Sequence, residues 1–316
     1  MNSLEGLVKP GSQPKRLNNS ENFTFTEGPG WDNDSILYFS DCPTHTTKVL
    51  RQSGQFETFR SQTRSGNGMA LTHGGELLVC EGVGNRISAV DIQSKSVRTV
   101  VNEYNSLPLN APNDLVLDRS GGIYFTDPVF THAGSKPQQD AEAIYYVSPE
   151  YEISRLWSGA YKPNGIVLRP DAESLLVADS FSNIIWCIEL SAPGNIRNVY
   201  EWGHLEIPNK AYVYDMNGKE IFFPEYPDAT LADGMALDTI GNLYVTTQLG
   251  IQALDVKGNL IGILEFPEQP ANCAFGGQDM QTLFVAAQTS IYSIDMSVKG
   301  PVSYTHLRAH ETDSYL

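Results

Sequence analysis

Six short polar motifs recur along the chain: Glu27-Gly28, Asn67-Gly68, Asn113-Asp114, Asn164-Gly165, Asp233-Gly234 and Asn272-Cys273. Every leading residue carries a side-chain oxygen, and two of the six are carboxylates. Oxygen donors of this kind suit a hard cation, with Ca²⁺ the first expectation and Mg²⁺, Mn²⁺ or Zn²⁺ the alternatives. Two readings are open on spacing alone. Either the chain brings these groups together around a cation, or Asn-Gly and Asp-Gly merely make tight turns into the next strand, since Asn and Asp tolerate left-handed backbone.

The elements that would position them follow a repeat. Each motif leads into an apolar strand, a turn that holds Gly in four of the six copies, and a second alternating strand, as in Glu76-Leu77-Leu78-Val79-Cys80, Gly122-Ile123-Tyr124-Phe125-Thr126, Ser174-Leu175-Leu176-Val177-Ala178 and Asn242-Leu243-Tyr244-Val245-Thr246. Weaker copies run from Glu27 to Ile36-Leu37-Tyr38-Phe39 and from Asn272 to Thr282-Leu283-Phe284-Val285. Motif starts at 27, 67, 113, 164, 233 and 272 lie 40, 46, 51, 69 and 39 residues apart, bracketing the ~40–50 of a four-stranded propeller blade. The expected fold is all-β: a six-bladed β-propeller with four-stranded antiparallel blades around a central channel, one domain over residues 1–300. In such a fold the innermost strands line the axis, so the six openers would gather at one end, where polar groups are costly without partners. The long interval implies an insertion, Pro208 to Ala229, with a hairpin turning at Asn217-Gly218. A second insertion, Phe130 to Glu142, is polar and suits a loop over a cavity entrance. Residues 301–316 break the repeat and resemble a translated cloning remnant, a non-native or disordered tail.

Composition excludes some classes. A net charge of −16 repels nucleic acid and anionic membrane surfaces, and no apolar stretch reaches the ~20 residues of a membrane span. The polar start from Met1 to Arg16 lacks a signal-peptide apolar region, so a cytoplasmic protein is expected. The four cysteines, Cys42, Cys80, Cys187 and Cys273, form no C-x-x-C pair and read as buried small hydrophobes. There is no Gly-x-Ser-x-Gly elbow for a serine hydrolase. His132 and His204 read as loop residues, and Trp31, Trp157, Trp186 and Trp202 as blade-packing anchors.

Taken together, Glu27-Gly28-Pro29-Gly30-Trp31, Asn110-Ala111-Pro112-Asn113-Asp114, Tyr124-Phe125-Thr126-Asp127-Pro128, Lys162-Pro163-Asn164-Gly165-Ile166 and Ala232-Asp233-Gly234-Met235-Ala236-Leu237-Asp238 resemble the gluconolactonase and regucalcin family of six-bladed propellers, from about Glu27 to Gly300. The resemblance implies that Glu27, Asn113, Asn164 and Asp233 hold the metal and that Asp233 serves as catalytic base. The Cys80-Glu81 and Tyr124 to Pro128 signatures look more like the bacterial sugar-lactonase branch. Asn67, Glu81, Asp114 and Asp127 are the expected substrate-binding residues, although Asp127 also reads as a strand-ending turn aspartate. Position 111 is Ala where the animal branch has a substrate-contacting Arg, and Val129-Phe130-Thr131-His132 departs from the small, Gly-containing bacterial stretch. The implied activity is metal-dependent opening of a small-molecule sugar lactone by water. A phosphotriester hydrolase on the same site and a non-catalytic calcium-binding propeller are the alternatives, and the oligomeric state is open.

Overall fold

A computed structural model describes residues 4–19, 21–32, 35–131, 134–214 and 220–301. Six four-stranded antiparallel sheets account for most of them, with no α-helix among the described residues. Blade 1 is built from Thr26–Trp31, Leu37–Asp41, Thr46–Leu50 and Phe56–Ser61, each strand paired with the next. Blades 2 to 5 repeat this order from innermost strands Gly66–Leu71, Leu115–Leu117, Pro163–Leu168 and Met235–Leu237. The expected six-bladed propeller is the observed fold.

Blade 6 is assembled differently. Pro270–Gly276, Thr282–Ala287 and Ser290–Asp295 supply three strands, and the fourth is Lys15–Arg16 from the beginning of the chain, in register with Ser293 and Tyr292. The two ends of the repeat are thereby fastened in one sheet. Leu7 packs into the same blade with Val285, Ile294 and Met296. A two-residue strand carries no readable periodicity, which is why the sequence pattern missed it.

Period-2 alternation places apolar side chains between adjacent blades. Leu78, Cys80, Ile87 and Ala89 of blade 2 meet Leu115, Ile123, Phe125 and Tyr145 of blade 3 in one buried cluster. Cys80, Cys187 and Cys273 are buried free thiols as expected, whereas Cys42 is only half-buried. The tryptophans pack as anticipated: Trp31 stacks on Phe284 at 5.2 Å, and Trp157 meets Trp186 edge-on at 5.0 Å.

The expected hairpin in the long insertion is present as Tyr212–Tyr214 paired with Glu220–Phe222, and its Asn-Gly turn lies outside the described residues. So do His132 and all of the tail beyond Pro301. The Gln248 side chain anchors the hairpin to blade 5: its Oε1 accepts the Tyr212 N–H at 3.2 Å and its Nε2 donates to the Lys210 carbonyl at 2.9 Å.

Candidate metal centre

The six openers sit where the innermost strands begin, and the strand geometry is broken there. Register shifts fall at Glu27/Gly30, Gly66/Met69, Pro163/Ile166 and Pro270/Asn272. In blades 3 and 5 regular pairing starts only after Asn113-Asp114 and Asp233-Gly234. Such irregularities re-aim side chains that a regular ladder would send into the blade faces. The openers are still held by backbone: the Asn113 and Asp233 N–H groups donate to the Thr126 and Thr246 carbonyls of their own blades, both at 2.9 Å.

Hydroxyl groups sew two openers, and the residues just before two others, to the preceding blade. Ser40, Thr126, Ser180 and Thr246 donate to the carbonyls of Asn67, Asn164, Ala232 and Ala271 at 2.9, 2.7, 2.6 and 2.8 Å. The blades approach closely at this ring. Gly28 adopts φ +50°, and a Cβ there would lie 2.2 Å from the Asn67 carbonyl oxygen, so only glycine fits.

Three carboxylates converge on the axis. Glu27 and Asp114 are 2 % and 8 % exposed, whereas Asp233 is half-buried and the most accessible of the three. Burial pushes Glu27 up from its ordinary 4.5 to about 8; the Gly28 N–H, 2.9 Å from Oε2, opposes this, the charge of Asp114 adds to it, and the Asn272 amide lowers it. Asp114 is pushed up to about 7, again by burial, with the Leu115 and Ile166 N–H groups and Asn272 opposing. Asp233 is raised well above the carboxylate range by burial and then by the charges of Glu27 and Asp114, against the hydrogen bond from Asn164.

This arrangement fits a cation. The Asn67 and Asn164 Oδ1 atoms are buried acceptors without a hydrogen-bond donor, although the Asn164 amide nitrogen is bound to Ser180 Oγ at 3.1 Å. Orphaned buried acceptors beside mutually repelling carboxylates call for a positive partner. Among the described residues no group of three or more His, Cys, Asp and Glu side chains could by itself hold a metal ion. A cation at this axis therefore depends on amide oxygens as well as carboxylates, a donor set suited to a hard ion.

The structure thus brings Glu27, Asn164 and Asp233 together. Asn113 is held at the ring by its backbone, and the next residue, Asp114, carries the carboxylate that interacts with Glu27, Asp233 and Asn272. Asn272 bonds to both Glu27 and Asp114. It was visible as the sixth opener, but spacing alone did not give it this bridging position.

Two further sequence candidates are occupied elsewhere. Glu81 is fully buried, with Arg60 and Arg86 at 2.8 and 2.7 Å and Ser88 Oγ at 2.7 Å, so its carboxylate is committed to an internal ion-pair network rather than left open for a substrate. Asp127 accepts the Asn110 and Ala111 N–H groups, both at 2.8 Å, and organises the loop leading to Asn113. Burial raises it to about 7.

A cleft of about 740 Å³ opens among the loops, lined by Asn110, Val129, Gln139, Lys162, Phe181 and Tyr226 among others. The carboxylates themselves are not in its wall, but Asn110 and Lys162 lie three and two residues before Asn113 and Asn164. Lys162 is nearly buried and donates to the Val129 carbonyl at 2.7 Å and to Glu142 at 2.5 Å, pinning both ends of the second insertion. The long insertion reaches the same cleft, where Tyr226 packs on Phe181 at 4.5 Å. His204 is exposed beside Glu201, outside the cleft lining.

Comparison with known proteins agrees with this architecture. The chain is 28% identical to a gluconolactonase of Zymomonas mobilis over 85% of this chain and 78% of that protein. It is 23% identical to regucalcin of Danio rerio over 83% and 82% of the two chains. The fold superposes on a gluconolactonase of Xanthomonas campestris with a TM-score of 0.79 at 24% identity, covering 93% of this chain and 92% of the other. It also matches the calcium-binding protein regucalcin of Agrobacterium tumefaciens, TM-score 0.73 at 18% identity, over 94% and 96%. Residues 25–289 match the family described as SMP-30/Gluconolactonase/LRE-like region, and the chain belongs to that family.

Proposed function

We propose that this protein is a lactonase that opens a sugar lactone with the help of a divalent cation at the propeller axis. The observation that carries the reading is the convergence of Glu27, Asp114 and Asp233, with two buried amide oxygens, those of Asn67 and Asn164, left without donors. Membership of the gluconolactonase family supports the reaction class.

Glu27, Asn113, Asn164 and Asp233 would hold the cation, with Ca²⁺ the first choice given the oxygen-only donors. When bound, the ion supplies Lewis-acid polarisation of a carbonyl oxygen. Glu27 contributes negative charge at the centre and is itself oriented by the Gly28 N–H and the Asn272 amide. Asp233, the most accessible carboxylate, takes the proton of the attacking water and returns it to the departing ring oxygen. Asn164 orients Asp233 by hydrogen bonding and is itself tied to Ser180. The walls of the neighbouring cleft, with Phe181 and Tyr226 as aromatic faces, form the surface available to the rest of the substrate.

The experiment is hydrolysis of a panel of aldonolactones by metal-loaded protein, with and without chelator. Turnover that chelation abolishes and Ca²⁺ restores is expected. Absence of lactone hydrolysis across the panel, or turnover indifferent to chelator, would overturn the reading.

A further inference from the structure

The loops that deliver Glu27, Asn113 and Asn164 to the axis are built alike. Asp41 Oδ1 accepts the Thr24 and Phe25 N–H groups, both at 3.1 Å. Asp127 accepts those of Asn110 and Ala111, both at 2.8 Å. Asp179 accepts those of Tyr161 and Lys162, at 2.9 and 2.8 Å. Each aspartate closes the second strand of its blade, and each receives the N–H groups lying three and two residues before the opener. All three are buried, at 3, 0 and 0 % exposure.

The other three blades lack this device. In blade 2 the strand-closing residue is Glu81, engaged by Arg60 and Arg86. In blade 5 it is Thr247, whose hydroxyl donates to the Gly250 carbonyl. In blade 6 it is Ala287. The loop before Asp233 is held instead from blade 4, with Leu231 N–H on the Ser180 carbonyl at 3.0 Å and Thr230 Oγ1 on the Ser182 carbonyl at 3.0 Å.

We propose that Asp41, Asp127 and Asp179 are positioning residues of the metal centre, each setting the placement of one neutral or anionic oxygen donor through the two backbone N–H groups it clamps. The inference rests on the proposed function for the identity of the donors. A carboxylate facing two N–H groups makes charge-assisted bonds that fix a loop more firmly than neutral acceptors do. At Asp127 and Asp179 each carboxylate oxygen takes one of the two N–H groups, so in the Asn variants one clamping oxygen becomes an NH₂ that faces a backbone N–H, and the loop is released while side-chain volume is kept. Asp118 is the control. It is a buried aspartate of blade 3 whose Oδ1 accepts the Ser120 and Gly122 N–H groups and whose Oδ2 accepts the Tyr146 hydroxyl at 2.9 Å, in the turn after the innermost strand, away from the opener.

The test is Ca²⁺ titration by calorimetry of the full-length protein and of Asp127→Asn, Asp179→Asn and Asp118→Asn, with thermal melts of each in chelator. Loss of Ca²⁺ affinity by about 10–100-fold is expected in Asp127→Asn and Asp179→Asn. Asp118→Asn is expected to melt earlier with its Ca²⁺ affinity intact. Wild-type affinity in both clamp variants would overturn the proposal and leave the proposed function standing. Equal loss of affinity in Asp118→Asn would also overturn it, by reducing the effect to general destabilisation. Absence of Ca²⁺ binding by the unaltered protein would overturn both readings at once.

Discussion

Gly68 and Asp114 face each other across the seam between blades 2 and 3 so closely that a Cβ on Gly68 would stand 2.3 Å from Asp114 Oδ1. The same Cβ would meet the Asn113 carbonyl oxygen and the Asp114 Cα at 2.7 Å, so the clash is with backbone as well as with a side chain. The Gly68 N–H to Asn113 carbonyl bond, 2.8 Å, lies in the same seam. Gly68→Ala is therefore expected to lower stability by about 1–3 kcal/mol through overpacking, read from denaturant unfolding, and to weaken Ca²⁺ binding because Asp114 must move. A variant as stable as the parent would show that the seam yields without strain.

Asp233 combines access with a strongly raised proton affinity. Asp233→Asn is expected to fold, by circular dichroism and melting, and to lose about 10²–10⁴ in kcat, the range for removal of a general base. Near-normal turnover would assign the proton transfer to another group.

The carboxylates make metal-free stability depend on pH in a defined direction. Glu27 has an ordinary value of 4.5 and is pushed up to about 8 by burial, and Asp114 goes from 3.8 to about 7. Between those limits the folded form holds protons that the unfolded form has released, so stability is greatest near the lower limit and falls as pH rises towards the upper one. In chelator, Tm should drop between about pH 5 and pH 8, and Ca²⁺ should raise Tm more at pH 8 than at pH 5. Glu27→Gln, neutral throughout, should flatten the drop and reduce Ca²⁺ affinity. A Tm indifferent to pH would mean that burial and mutual repulsion do not hold protons on these carboxyl groups in the folded protein.

Glu81 separates stability from recognition. Deleting its carboxylate by Glu81→Ala strands Arg60 and Arg86, whose side chains are only 10 % and 18 % exposed. A loss of about 3–5 kcal/mol is expected from breaking such a buried pair, with KM for lactones unchanged. A raised KM with stability intact would give Glu81 the substrate contact that the sequence signature suggested.

Much of this was legible in the chain itself. Strand alternation and Gly, Asn and Asp turns are local, so six blades, their openers and the hairpin from Tyr212 could be read without coordinates. Other features depend on contacts between residues remote in sequence. Lys15 completes blade 6 beside Ser293, Asn272 bridges Glu27 and Asp114, and Arg60 with Arg86 absorbs Glu81. The residue types at positions 27, 114 and 233 determine that charge is present. Only closure of the ring decides that these charges repel one another in a buried site, because Coulomb interaction and desolvation depend on separation and burial in space rather than on position along the chain.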